Sequence, residues 1–92
     1  MKPVVLALFV SFAAFSSAAQ SWGLTGNSST NPGKNFLGTT DEKSLMLRTN
    51  NMERLHITAN GKVGIGTAKP QQQLDVNGNI NLGENSGLYI GN

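Results

Sequence analysis

Past residue 20 the apolar positions come in doublets, two apolar residues separated by one other. Leu45 and Leu47 form the first, followed by Leu55 and Ile57, Val63 and Ile65, Leu74 and Val76, Ile80 and Leu82, and Leu88 and Ile90. Strand side chains change face at every residue, so each doublet sets two apolar side chains on one face. Turn-forming residues stand between the doublets: Asn50-Asn51, Asn60-Gly61, Asn77-Gly78 and the run Gly83-Glu84-Asn85-Ser86-Gly87. Asn and Gly tolerate the positive φ angles that reversing turns need. The doublets begin at 45, 55, 63, 74, 80 and 88, in steps of 10, 8, 11, 6 and 8 residues. That is an irregular repeat of short rungs, each closed by a turn. Phe36-Leu37-Gly38 reads as one more short strand, running into a turn at Thr39-Thr40-Asp41. Pro70 lacks a backbone donor and stops pairing between the third and fourth doublets. No window in this region carries a helical period, and the Gly and Asn spacing limits any helix to about two turns. The expected fold class is all-β, built of short strands and tight turns.

The first 19 residues differ from the rest. MKPVVLALFVSFAAFSSAA reads as a secretory signal peptide with a helical core. Lys2 supplies the positive start and Val4 to Phe15 the apolar core. Ser17 and Ala19 are the small residues a cleavage site requires, so the cut is expected after Ala19. The apolar run is about a dozen residues, against the roughly 20 that span a bilayer. No cysteine follows to carry a lipid. The mature chain is therefore expected to be secreted or displayed at the cell surface, with no membrane association after cleavage. Residues 20–35 form a polar linker carrying Trp22, which is expected to pack on the first strand. Residues 36–92 hold the β-repeat.

Charge and chemistry narrow the function classes. The chain has seven Lys and Arg against five Asp and Glu. Losing Lys2 with the leader leaves six against five, and the six are scattered. Nucleic-acid binding needs clustered basic residues, so no such partner is expected. With no cysteine there is neither a disulfide framework nor a thiolate metal site. His56 is the single histidine. Set between Leu55 and Ile57, it is expected to point away from their face as a surface residue, without a partner for catalysis or metal binding. Glu53 and Arg54 are expected on opposite faces, with Glu53 able to pair with Arg48 across the Asn50-Asn51 turn. Asp41-Glu42 and Asp75-Val76-Asn77-Gly78-Asn79 lack calcium-ligand spacing and read as turns. Gly64-Ile65-Gly66 lacks the third glycine of a dinucleotide loop, and Pro70 and Gln71 follow where a helix should. Its steric meaning is a bare strand face that a neighbouring chain or rung can approach closely. Asn27-Ser28-Ser29 matches a glycosylation sequon, a pattern short enough to arise often by chance. No catalytic, cofactor-binding or metal-binding residue is assigned, no cofactor is expected, and the chain does not read as an enzyme.

Twelve doublet side chains are few for ordering some seventy mature residues, and short rungs leave edges unpaired. Burial against copies of the same chain is the natural remedy, so a homo-oligomer is expected.

The run TNNMERLHITANGKVGIGTAKPQQQLDVNG resembles the tail-fibre-like repeat of secreted bacterial surface proteins and phage tail fibres. The resemblance rests on Thr49, Asn50, Asn51, Glu53, Arg54, Ile57 and Gly61, then on the block Val63-Gly64-Ile65-Gly66-Thr67, Pro70 and Leu74-Asp75-Val76-Asn77-Gly78. The lead-in NFLGTTDEKSLMLRT, residues 35–49, extends it, so residues 35–80 are mostly covered. His56 departs from the pattern, which often has Arg or Lys there. The resemblance implies an elongated, trimeric, β-helix- or β-prism-like fibre serving as an attachment or structural shaft. Many such fibres end in a self-cleaving chaperone domain. None is present here, so the sequence, which stops at Gly91-Asn92, is read as a fragment. The expected function is a secreted structural or adhesive fibre segment without catalysis, its partner itself as a homotrimer. The alternatives are a small carbohydrate-binding module stacking surface glycans on Trp22 and Tyr89, or the remnant of a fibre-borne polysaccharide-degrading enzyme.

Overall fold

The computed structural model describes residues 21–91, so the leader expected at residues 1–19 lies outside the described residues. The chain falls into two units, Met1–Asn35 and Phe36–Asn92. In the first, residues 21–35 form turns without a strand or helix. Asn31 organises the second of these turns: its carbonyl accepts from the amides of Lys34 (2.8 Å) and Asn35 (2.6 Å), and its Oδ1 accepts from the Gly33 amide (3.0 Å). Trp22, in this unit, is half-exposed.

The second unit is built on a four-stranded sheet of β1 (Leu45–Thr49), β2 (Met52–Ile57), β3 (Val63–Ile65) and β4 (Leu74–Val76). The strands lie in chain order. β1–β2 and β2–β3 are antiparallel and β3–β4 is parallel. The described residues are thus all-β, with no helix.

Local chemistry explains both hairpins. Asn50 (φ 49°) and Asn51 (φ 56°) are both left-handed and close a two-residue loop between the paired Thr49 and Met52. Two consecutive positive φ angles define the turn whose twist matches the strands, and Asn bears that conformation better than most residues. The second hairpin uses a longer loop. Thr58 and Lys62 bridge it: the Thr58 amide donates to the Lys62 carbonyl (2.9 Å), and the Lys62 amide donates to Thr58 Oγ1 (2.9 Å). Gly61 alone takes the positive φ, at 93°, while its amide donates to the Thr58 carbonyl (2.9 Å). This is a turn followed by a left-handed glycine, the usual three-residue loop.

Parallel strands normally need a crossover of a dozen or more residues. Here residues 66–73 suffice, because three-residue strands rise only about 10 Å. The crossover lies against the sheet at Gly64. A Cβ on Gly64 would collide with the Thr67 carbonyl oxygen and crowd Pro70 Cδ at 3.4 Å. Gly64 and Pro70 are both buried. The close approach expected at this glycine is therefore real, and the chain's own crossover to the next rung makes it rather than a neighbouring chain. Two side-chain bonds hold the C-terminal end of the crossover. The Gln71 amide donates to Asp75 Oδ2 (2.9 Å), and Gln73 Nε2 donates to the Gly61 carbonyl (2.8 Å). Asp75 thus sits in a strand and secures the loop before it.

Three expected strands do not form. Residues 36–38, 80–82 and 88–90 have no strand pairing. The turn between the last two doublets does form, with Asn85 left-handed (φ 61°) and the Ser86 amide donating to the Gly83 carbonyl (3.1 Å). Its apolar flanks stay exposed, Ile90 at 88%. A doublet fixes which face its side chains share, but a strand also needs a neighbouring edge to hydrogen-bond.

Candidate functional site

The sheet has two unlike faces, and strand register defines them. On one, Leu45, Ile57, Val63 and Leu74 stand side by side across all four strands. Leu47, Leu55, Ile65 and Val76 form a second row beside them. Eight Leu, Ile and Val side chains therefore make two continuous apolar rows on a single face. Among the described residues no Leu, Ile, Val, Met or aromatic side chain is buried, and Leu47, Ile65 and Leu74 are clearly exposed. At the Leu45 and Ile57 end, a shallow cleft of about 310 Å³ opens between these residues and the lead-in, where Leu37, Asp41 and Lys43 line it.

The opposite face carries Met46, Arg48, Glu53, His56, Gly64 and Asp75. Regular alternation would put Glu53 on the apolar face, since it is two residues from Leu55. A bulge prevents this. Leu47 pairs with Leu55 but Arg48 pairs with Glu53, leaving Arg54 as the extra residue in β2. An extra residue resets the alternation and turns Glu53 to the side of His56. Their contact follows: His56 Nδ1 meets Glu53 Oε1. The His56 side chain is only 13% exposed, so it is not the surface histidine its neighbours imply. The bulge supplies it with a carboxylate, and it lies beside Gly64, over which the crossover passes. Arg48 and Glu53 stand opposite each other as expected, but the guanidinium turns to Asn51 Oδ1 (3.5 Å) and Met46 Sδ (4.0 Å). Arg54 donates from Nε to Thr49 Oγ1 (2.9 Å).

Parity was the sequence signal for this bulge. Glu53 shares spacing with Leu55 and Ile57, and a carboxylate in an otherwise apolar series marks an interrupted alternation.

Among the described residues no three His, Asp or Glu side chains gather as a metal site. Glu53 and His56 form a pair. In the sequon, the Asn27 side chain is engaged on both atoms, accepting from the Gly23 amide (2.8 Å) and donating to the Ser21 carbonyl (3.0 Å). The feature with the largest capacity for interaction is the apolar face. Comparison with protein-family models, curated proteins and solved structures finds no match to this chain.

Proposed function

We propose that the chain is an exported structural or adhesive fibre segment that works by associating with copies of itself, three to a fibre, without catalysis. The observation that carries this reading is the pair of apolar rows across the sheet, in which no side chain is buried and Leu47, Ile65 and Leu74 are exposed. Contiguous apolar surface on a small protein marks an interaction site. The rows contain no charge that would select a chemically different partner. Two further features support it. The β3–β4 pair stacks rung on parallel rung through a short crossover, the connection a β-helix-like shaft repeats. Ile80, Leu82, Leu88 and Ile90 add four exposed apolar residues with the same spacing as the rows. The number three and the fibre reading come from the resemblance in residues 35–80.

Light scattering of the chain from residue 20 onward tests the proposal. An oligomeric mass, trimeric in its simplest form, is expected; a monomer that melts cooperatively would overturn it. A carbohydrate-binding reading draws on a separate observation, the exposure of Tyr89 at 94%. Glycan binding lost on Tyr89→Ala or Trp22→Ala would favour it, since aromatic faces are the stacking groups such a module needs.

A further inference from the structure

We infer that Asn77 is a site of spontaneous deamidation and that the fold selects it over the other Asn-Gly pair. The sequence contains two such pairs, Asn60-Gly61 and Asn77-Gly78. A glycine after Asn favours the reaction because no Cβ hinders the approach of its backbone nitrogen. The Gly amide first gives its proton to a solvent base. Its nitrogen then attacks Cγ of the Asn side chain, a new C–N bond closes a five-membered imide, and the bond from Cγ to Nδ2 breaks. Nδ2 leaves as ammonia, taking up the proton. Water then opens either carbonyl of the imide and yields aspartate or isoaspartate. The only co-reactant is water.

The two sites differ where this chemistry begins. The Gly61 amide donates to the Thr58 carbonyl at 2.9 Å, which holds the proton that must leave. The Asn60 side chain is also engaged, its Oδ1 accepting from Thr58 Oγ1 at 2.5 Å. Gly78 is the reverse case. Among the described residues its amide has no hydrogen-bond acceptor, and nothing lies within 4 Å of where its Cβ would be. Asn77 and Gly78 are both exposed. One long bond, from Asn77 Nδ2 to the Gly66 carbonyl (3.3 Å), restrains the side chain.

The product alters the sheet. A carboxylate cannot donate to the Gly66 carbonyl, so this bond becomes a repulsion. An isoaspartate also lengthens the backbone at residue 77, whose amide makes the last β3–β4 rung to the Ile65 carbonyl (2.9 Å). The inference does not depend on self-association.

Ageing the chain at mildly alkaline pH, followed by trypsin and mass spectrometry, tests it. Cleavage after Arg54 and Lys62 places the two pairs in separate peptides. The mass gain of an amide-to-acid exchange should build up several-fold faster in the peptide starting at Val63, and fragmentation should locate it at residue 77. In strong denaturant the two rates should converge, because the folded turn alone protects Asn60. Equal rates in the folded chain, or an Asn60 that stays slow when unfolded, would overturn the inference.

Discussion

Gly64 is the residue on which the crossover depends. Its missing side chain is the space occupied by the Thr67 carbonyl and Pro70. The atom nearest a new Cβ belongs to backbone, so relief requires the loop to move. Gly64→Ala is expected to cost about 1–3 kcal/mol, the usual range for overpacking, read as a lower midpoint of urea unfolding. Gly87→Ala is the control. Nothing lies within 4 Å of its Cβ position, and its φ is not left-handed. It should change stability by less than about 0.5 kcal/mol. Equal losses at the two positions would show that the crossover does not rest on Gly64.

Among the elements, the β1–β2 hairpin states most plainly what its sequence demands. Both turn residues are left-handed, and the second favours glycine. Asn51→Gly should therefore hold or raise the stability. Asn51→Val should lower it by about 1–2 kcal/mol, the left-handed penalty of a residue with a bulky Cβ. Thermal unfolding of the two variants checks this, and a neutral Asn51→Val would mean that another turn geometry is available. This hairpin was legible because Leu45, Leu47, Leu55 and Ile57 already share a face on either side of an Asn-Asn pair. The parity of Glu53 signals an interrupted alternation but does not locate the bulge, since Arg54 becomes extra only when β1 fixes the register of β2. That is why the environment of His56 departed from the one its neighbours implied. The Ile80 and Leu88 doublets expose a different limit. Their spacing matches that of β4, but spacing carries no information on which edge will accept them, and none does within the described chain.

For the whole molecule the decisive question is which face, if either, another copy covers. Ile65 and Met46 allow a matched comparison, being 42% and 44% exposed on opposite faces of the same sheet. Neither has a buried site whose loss would confuse the result. If association is driven by the apolar rows, Ile65→Gln places an amide in the centre of the interface and must desolvate it there, at a cost of about 1–3 kcal/mol per chain. Summed over three chains, that lowers the trimer association constant by roughly two to six powers of ten. Met46→Gln, on the face that also carries Arg48, Glu53 and His56, should leave it unchanged. Sedimentation over a concentration series separates these outcomes. Equal weakening by both would indicate that copies wrap both faces. Weakening by Met46→Gln alone would move the contact to the polar face and leave the apolar rows without a role in assembly.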